Sequence, residues 1–249
     1  MSERQKTIIT RMFFEVCGAC QNNCAECQHK EMRRRYPDYQ LDITSLMHFI
    51  DVTRKSNYEI RNLLINGIGE PLMWKHFNEG VRLLHASGVV LKIHLYTNGQ
   101  AIETIEPETW KCIESVHVNA YTSIHKERKT PEALLKAGYQ WGDKIKAYWV
   151  GGFRKSVTDR HPETLPCLCE SPGPMYCDGR IWPWCGPVLF DACAIAGTVP
   201  MAHSVPCEVG YVDMYSERMQ GTFGECDCCN ANSTLLQAAA GVDHAQEVK

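Results

Sequence analysis

The chain carries two recurring arrangements of apolar residues, and each predicts a different kind of secondary structure. Short apolar runs that end at Gly or Asn predict buried strands, whereas apolar residues three or four positions apart predict helices. The predicted strands are residues 11–16, 63–65, 89–96, 116–121 and 145–150. The predicted helices are residues 42–52, 74–87, 103–114 and 210–220, with a further short helix that begins at Pro131. Asp42 is the predicted N-cap of the first helix, and Gly88 ends the second.

Strands and helices alternate through residues 11–150, and this order predicts a fold built of parallel βαβ units. Because the crossovers of such units are right-handed, the sheet should curl toward a barrel or form a doubly wound sheet. Turns that carry Gly, Asn or Cys follow several of the predicted strands. In parallel α/β folds the active site is built where the strands end, so we expect the chemistry at that edge.

The pattern changes in the last third of the chain. Residues 160–210 are rich in Pro, Gly and Cys, and helical periodicity fades there. We therefore predict two domains, residues 1–155 and a small Cys-rich domain of residues 156–249. Within the second domain, Asp178-Gly179 lies between two short apolar runs and predicts a β-hairpin.

Composition narrows the functional classes. The chain has 249 residues, of which 44% are hydrophobic, and this is enough for a sizeable core. A net charge of −3 argues against a nucleic-acid polymer as partner, and the basic run at residues 30–35 is interpreted as a solvated helix end. No apolar run is long enough to predict a membrane span, and the N-terminus lacks the apolar core of a signal peptide. Fourteen cysteines indicate metal ligation in a cytoplasmic protein rather than a secreted disulfide scaffold.

Three cysteines just after the first predicted strand have the spacing C-x₃-C-x₂-C; they are Cys20, Cys24 and Cys27. Thiolates on one short loop can converge on one face of an iron–sulfur cluster, which is usually held by four of them. Because the loop supplies only three, one iron stays open to a non-protein ligand. A structural zinc site normally closes all four positions with C-x₂-C pairs. The spacing therefore favours an iron–sulfur site over zinc or reduced core thiols.

This loop, taken with two later turns, resembles the radical S-adenosylmethionine (SAM) enzymes. The later turns are Asn66-Gly67-Ile68-Gly69-Glu70-Pro71 and Thr97-Asn98-Gly99. In order and spacing they are similar to the G-G-E-P-like turn and the T-N-G turn of that family, and the resemblance covers residues 8–155. The family usually has an aromatic residue just before the last Cys of the loop, where this chain has Glu26.

The resemblance implies an α/β fold, a partial (β/α) barrel, here with five predicted strands where six are usual. It also implies a [4Fe–4S] cluster held by Cys20, Cys24 and Cys27, with SAM bound to the open iron through its amino and carboxylate groups. The residues implied to hold the SAM ammonium group are Gly67, Gly69 and Glu70. Those implied to contact the rest of SAM are Asn98, Asn119, Tyr121, Val150, Gly151 and Gly152.

A second set of cysteines, in residues 156–249, resembles the shortened auxiliary-cluster domain of some radical SAM enzymes, the twitch half of the SPASM domain. The resemblance implies an auxiliary [4Fe–4S] cluster with the ligands Cys169, Cys185, Cys226 and Cys229. Cys167 competes for the first position, and Cys228 for one of the last pair. The alternatives are a four-Cys zinc ribbon, a full SPASM domain that also uses Cys193 and Cys207, or small buried apolar cysteines.

The layout of the two cysteine sets resembles the 2-deoxy-scyllo-inosamine dehydrogenase type of radical SAM enzyme. This implies an oxidoreductase or lyase-type enzyme that forms a 5′-deoxyadenosyl radical, abstracts a hydrogen atom from a small polar substrate and passes an electron to the auxiliary cluster. Arg154 and Tyr121 are the candidate catalytic residues, and a flavodoxin or ferredoxin is the expected electron donor. The alternatives are modification of a nucleotide, nucleobase or peptide by decarboxylation or bond formation, and a non-enzymatic zinc or iron–sulfur module.

Overall fold

A computed structural model describes residues 6–22, 27, 29–121, 145–150, 173–182 and 204–218. The strands in these ranges are β1 Thr7–Ile9, β2 Met12–Glu15, β3 Tyr58–Asn66, β4 Val90–Thr97, β5 Ser115–Tyr121, β6 Ile145–Val150, β7 Met175–Cys177, β8 Arg180–Trp182 and β9 Val205–Pro206. The helices are α1 Lys30–Arg35, α2 Ile43–Lys55, α3 Phe77–Ala86, α4 Pro107–Cys112 and α5 Tyr211–Arg218, with 3-10 turns at Pro71–Met73 and Ile102–Thr104.

The described strands form one sheet in the order β6-β5-β4-β3-β2-β7-β8-β9, with β1 also paired to β3. Each pairing from β2 to β6 is parallel, as predicted from the alternation of strands and helices. The five predicted strands are therefore confirmed, and each of them pairs with the strand that follows it in the chain. This mixed α/β fold with a largely parallel sheet is compatible with a partial barrel.

A further parallel strand comes from the C-terminal part of the chain. Strand β7 pairs with β2 in parallel, with Phe13 opposite Met175 and Phe14 opposite Tyr176. Strands β7 and β8 then form the predicted hairpin, whose turn residues Asp178 and Gly179 both have positive φ. Positive φ at both central residues is the backbone of a type I′ turn, which Asp-Gly favours. The hairpin thus continues the sheet of the α/β region beyond β2.

The first long helix begins as its sequence predicts, whereas a later predicted helix is shorter. The Asp42 carboxylate accepts a hydrogen bond from the Ser45 amide at 2.8 Å, which caps α2. The predicted helix over 103–114 is wrong in its first half, because Pro107 forces Glu106 into an extended conformation. A 3-10 turn at Ile102–Thr104 precedes that residue, and α4 begins at Pro107.

Helices α2, α3 and α4 pack on one face of the sheet, called here the helix face. Phe14 of β2 lies on this face, with its ring centroid 4.9 Å from that of Phe49 of α2 and 4.8 Å from that of Tyr176 of β7. The alternate residues of each strand point to the opposite face, called here the inner face. On β4 the helix face carries Ile93 and Leu95, which are both buried. None of the described helices is long and apolar enough to span a bilayer.

Replacing Thr53 with valine should destabilise the packing of α5 on α2. The Thr53 hydroxyl donates to the Phe49 carbonyl at 2.7 Å and lies 3.3 Å from the hydroxyl of the fully buried Tyr211. Valine leaves the Tyr211 hydroxyl without this partner, so we expect the free energy of unfolding to fall by about 1–2 kcal/mol in urea titrations. Tyr211→Phe is the matched control, and the double variant should lose less than the sum of the two single losses. Additive losses would contradict the contact.

Candidate functional site

Three loops meet at the carboxyl edge of the sheet, where β2, β3 and β4 end. They are called here the cysteine loop, residues 17–27, the glycine turn, residues 66–71, and the TNG turn, residues 97–100. Glu15 of β2 pairs with Asn66 of β3, so the cysteine loop and the glycine turn leave the sheet side by side. Parallel strands bring their carboxyl ends to one edge, and this is why motifs distant in sequence come together.

Backbone hydrogen bonds fix the glycine turn against the cysteine loop. The Gly69 amide donates to the Cys17 carbonyl at 2.8 Å, and the Glu70 amide donates to the Ala19 carbonyl at 2.7 Å. A Cβ atom on Gly69 would lie 1.9 Å from the Ala19 carbonyl oxygen, and one on Gly67 would lie 2.5 Å from the Gly69 carbonyl oxygen. Only glycine at position 69 permits this approach of the two loops, and only glycine at position 67 permits the tight course of the turn itself. The two glycines therefore have a steric reason to be there, independent of any ligand.

The Glu70 carboxylate joins the glycine turn to the TNG turn. It is 3% exposed and accepts hydrogen bonds from the Asn98 amide at 2.8 Å, the Leu72 amide at 3.2 Å and the Thr97 hydroxyl. Burial raises the pKa of Glu70, and these three donors oppose the rise. Sequence reasoning assigned Glu70 to the SAM ammonium group; the structure shows a carboxylate whose two oxygens both accept hydrogen bonds from the protein.

Side chains of the cysteine loop also reach the TNG turn. The Gln21 amide nitrogen donates to the Asn98 side-chain oxygen at 3.3 Å, and the Gln100 side chain donates to the Asn22 side-chain oxygen at 2.9 Å. The Asn98 oxygen also accepts from the Gln100 backbone amide at 2.9 Å. Hydrogen bonds therefore connect all three loops, and the side chain of the predicted residue Asn98 accepts one of them from the cysteine loop.

Two of the three predicted cluster ligands line one cavity. Cys20 and Cys27 are both partly exposed and lie in the wall of a cavity of about 440 Å³. The cations Lys30, Arg33 and Arg34 of α1 line the same cavity. The basic run that we interpreted as a solvated helix end therefore faces, in part, the predicted metal site.

The surroundings of Cys20 affect how readily its thiol loses a proton. Burial raises the pKa of Cys20, whereas the Asn22 amide, 3.4 Å from the sulfur, and the charge of Arg33 lower it. The Arg33 guanidinium also donates to the Asn22 carbonyl at 3.3 Å. A thiol must be deprotonated before it binds metal, and nearby cations and amides stabilise the thiolate. Two thiols that share a cationic cavity fit an iron–sulfur cluster, whose ligands are Cys thiolates.

The remaining predicted ligands and several other predicted residues lie outside the described residues. These are Cys24, Gly151, Gly152, Arg154, Cys167, Cys169, Cys185, Cys193, Cys226, Cys228 and Cys229. Only the backbone is described for Asn119, Tyr121 and Val150, which lie in β5 and β6. The residues that are described do not by themselves bring together three side chains able to hold a metal ion.

Three other cysteines are buried apart from this cavity. The Cys17 thiol donates to the Glu70 carbonyl at 3.0 Å, and burial raises its pKa to about 12. Cys177 lies on β7 and Cys207 just after β9, and both are buried, with burial raising the pKa of each. Such thiols behave as small apolar residues, which is one of the alternatives that the sequence left open.

A buried carboxyl group that sequence reasoning missed lies at the end of β2. Glu15 is 1% exposed, and neither carboxylate oxygen makes a hydrogen bond of good geometry to the described residues. Burial raises its pKa to about 8, and the Ile68 backbone amide opposes this rise only in part. The group is therefore mostly protonated at neutral pH. The sequence feature that could have indicated it is a charged residue in an otherwise apolar strand of four residues.

Glu15 should make the stability of the chain depend on pH. Between its ordinary pKa of 4.5 and its folded pKa of about 8, the folded chain holds a proton that the unfolded chain has lost. The Glu15 contribution to the free energy of unfolding should therefore fall as pH rises through this window, by at most about 1.4 kcal/mol per pH unit. Burial lowers the pKa of His29 from 6.5 to about 4, which gives a slope of opposite sign below pH 6.5. Urea titrations between pH 6.5 and about 8 should therefore show the Glu15 slope in the native chain and lose it in Glu15→Gln. The surface variant Glu79→Gln should keep the slope; an unchanged slope in Glu15→Gln would contradict the assignment.

Comparison with known proteins gives the fold. No family model matches the chain, and no curated protein matches it in sequence. It is similar to BtrN in an open conformation, with 13% identity and a TM-score of 0.51 over 90% of this chain and 92% of that one. BtrN in complex with AdoMet and 2-DOIA matches with 13% identity and a TM-score of 0.45 over 58% of each chain. TYW1 with a lysine-pyruvate adduct matches with 14% identity and a TM-score of 0.27, over 59% of this chain and 65% of that one. The similarity to the open form extends through nearly the whole length of both chains, and this chain therefore has the fold of BtrN.

Proposed function

We propose that the chain is a radical SAM enzyme that oxidises a small polar substrate. The observation that carries this proposal is the meeting of the three loops, with two thiols of the cysteine loop in one cationic cavity beside them. BtrN, whose fold this chain shares, has been crystallised with AdoMet, and this supports SAM as the cofactor. A zinc module would not need a glycine turn and a TNG turn that are hydrogen-bonded to its ligand loop.

Cys20, Cys24 and Cys27 would hold a [4Fe–4S] cluster. When bound, the cluster supplies the electron that breaks a carbon–sulfur bond of SAM and so generates the 5′-deoxyadenosyl radical. Lys30 and Arg33 would offset the negative charge of the thiolates and of the SAM carboxylate, since they line the same cavity, whereas the charge of Arg34 is already paired with the Glu31 carboxylate.

The glycine turn would receive the SAM ammonium group through its backbone. Gly67 and Gly69 have no side chains to cover their carbonyl groups, and carbonyl oxygens suit a cation. Glu70 belongs to the glycine turn and would act chiefly by holding the TNG turn at a fixed separation from it, because its oxygens accept hydrogen bonds from the Thr97 hydroxyl and the Asn98 amide. Its negative charge, when present, would also attract the ammonium group.

The oxidation itself is proposed from the sequence pattern of the C-terminal region. Cys169 or Cys167, Cys185, and a pair from Cys226, Cys228 and Cys229 would hold an auxiliary cluster that accepts an electron from the substrate. The described hairpin of β7 and β8 ends at Trp182, three residues before Cys185. A flavodoxin or ferredoxin would supply the electron that starts each turnover.

The proposal is tested by the products of SAM. Purified chain, reconstituted with iron and sulfide without oxygen, is mixed with SAM and dithionite, and 5′-deoxyadenosine is measured by chromatography and mass spectrometry. We expect its formation to require both the iron–sulfur cluster and dithionite. Zinc in place of iron, or iron without any 5′-deoxyadenosine, would reject the enzyme in favour of a non-enzymatic module.

A further inference from the structure

The cavity that Cys20 and Cys27 line is bordered by exposed residues. Its other walls come from α1 and from the 3-10 turn that ends at Met73. Met73 is 40% exposed, and Arg34 and Pro37, which line the same cavity, are also exposed. The thiols that we assign to the cluster therefore lie close to the protein surface.

One side chain joins the two sides of the cavity mouth. The Gln40 side-chain nitrogen donates to the Met73 carbonyl at 3.5 Å, and the Gln40 side-chain oxygen accepts from the Lys75 amide at 3.1 Å. The segment that follows α1 therefore lies beside the segment that follows the 3-10 turn. The exposed residues on these two segments and on α1 are called here the cavity rim: Lys30, Arg34, Pro37, Met73 and Lys75.

The cavity rim is cationic in a chain that is acidic overall. Residues 29–40 contain four cations and two carboxylates, so this segment carries two positive charges, whereas the whole chain carries −3. One carboxylate, that of Glu31, lies 2.7 Å from Arg34 and 3.0 Å from Arg35, and it offsets only one of these two charges. The other belongs to Asp38, and Lys75 adds an exposed cation across the mouth. The described residues of the mouth therefore attract an acidic partner.

We propose that the cavity rim is the docking surface for an acidic flavodoxin that delivers the electron to the cluster. This rests on the proposed function, in which each turnover begins when one electron reaches the cysteine loop. Electron transfer slows steeply with distance, and the cavity brings Cys20 and Cys27 close to the surface. In the step itself the reduced FMN of flavodoxin loses one electron and the cluster gains it, and no bond forms or breaks.

The chemistry of the rim suits such a donor. Opposite charges at the edge of an interface speed encounter more than they add affinity, and a donor must leave after each electron. Complexes of this kind bury small interfaces, of less than about 1,200 Å². Met73 and Pro37 add an apolar contact, and the Met73 side chain is adaptable. Flavodoxins expose an apolar edge of FMN that can meet this contact, whereas ferredoxins present no such ring, so the rim favours flavodoxin.

Docking is tested by calorimetric titration of oxidised flavodoxin into the iron-loaded chain, without SAM or reductant. We expect the Kd to rise about tenfold or more between ionic strengths of about 0.01 M and 0.15 M, as the Debye length falls from about 30 Å to about 8 Å. Arg34→Glu and Lys75→Glu should each raise the Kd at low salt by about three- to tenfold. The two variants lie on separate segments, so either one decides the test if the other fails to fold.

Lys111→Glu is the matched control. Lys111 of α4 pairs with Glu108 at 2.7 Å, three residues before it, as Arg34 pairs with Glu31. It lies near the start of β5, at the opposite edge of the sheet, so its reversal should leave the Kd unchanged. No binding of flavodoxin, a Kd that does not change with salt, or an equal effect of Lys111→Glu would overturn the proposal. An acidic ferredoxin that binds equally well, with the same sensitivity to Arg34→Glu, would overturn the choice of flavodoxin.

Product formation separates this inference from the proposed function. 5′-Deoxyadenosine is measured with saturating dithionite and, in parallel, with a limiting amount of reduced flavodoxin. Lys75→Glu should slow the flavodoxin-driven reaction by the factor by which it raises the Kd, and it should leave the dithionite-driven rate unchanged, because dithionite needs no docking surface. No product from the native chain with dithionite would reject the proposed function. Product with dithionite, but equal flavodoxin-driven rates in the native chain and Lys75→Glu, would reject only the docking surface.

Discussion

Replacing Cys20 or Cys24 with alanine should reduce 5′-deoxyadenosine formation to the level seen without protein. The loop provides only three thiolates, so the loss of one leaves two, and a cluster with an open iron is not retained. Cys20 lines the cationic cavity together with Cys27, and an alanine there removes a ligand without removing a buried apolar group. The measurement is 5′-deoxyadenosine per chain after reconstitution, with iron content determined on the same sample.

Two cysteines of the same chain serve as matched controls. Cys112→Ala changes a partly exposed thiol of α4, and Cys17→Ala changes the thiol that donates to the Glu70 carbonyl. Cys112→Ala should keep both iron and product, and Cys17→Ala should keep the iron bound by the loop even if it lowers stability. Full activity in Cys24→Ala, or an equal loss of iron in Cys112→Ala, would contradict the assignment of the loop.

Gly69→Ala should separate the glycine turn from the cysteine loop. The added Cβ would lie 1.9 Å from the Ala19 carbonyl oxygen and 2.6 Å from the Gly18 carbonyl carbon, and these are backbone atoms that cannot rotate away. We expect the free energy of unfolding to fall by about 3 kcal/mol or more, at or above the upper end for overpacked sites. Iron retention should fall with it, because the loop that holds the cluster moves. Urea titration and iron analysis measure the two effects.

Gly88→Ala is the control for this substitution. Gly88 ends α3 with φ of +69°, and a Cβ there would have no atom within 4 Å. Its cost is therefore only the left-handed backbone of a non-glycine residue, about 1–2 kcal/mol, and iron retention should not change. Equal effects of the two substitutions on stability and on iron would mean that the contact between the two loops does not matter.

The fold was predictable where local patterns decide it. The strands β2 to β6, the Asp42 cap and the Asp178-Gly179 hairpin follow from residues that are close in sequence. The pairing of β7 with β2 joins Phe13 to Met175, and no local pattern encodes a contact between residues so far apart. The helix predicted over 103–114 is too long, because Pro107 keeps Glu106 extended and α4 begins only at Pro107.

The sequence indicates which residues lie near the candidate site better than it indicates what each of them does there. Cys20, Cys27, Gly69, Glu70 and Asn98 come from three separate motifs, and in the structure these motifs lie on loops that contact one another. Their roles as ligands stay predictions. The role of Glu70 as a link between two turns depends on two hydrogen bonds, from Thr97 and Asn98, that only the folded chain defines. The hydrogen bonds that join Asn62, His94, Ser115 and His117 on the inner face were not predicted, because His94 and His117 belong to no motif. The available signal was their alternation with apolar residues in strands that a parallel sheet would cover on both faces.

The central claim is that the cysteine loop holds a cluster with one iron open to SAM. The most direct measurement is the electron paramagnetic resonance spectrum of the reconstituted, dithionite-reduced chain, recorded with and without SAM and paired with iron analysis. We predict about four irons for each cluster present and a signal of the loop cluster that changes when SAM is added. A chain that takes up zinc at these thiols in place of iron, or a loop-cluster signal that SAM leaves unchanged, would contradict the claim.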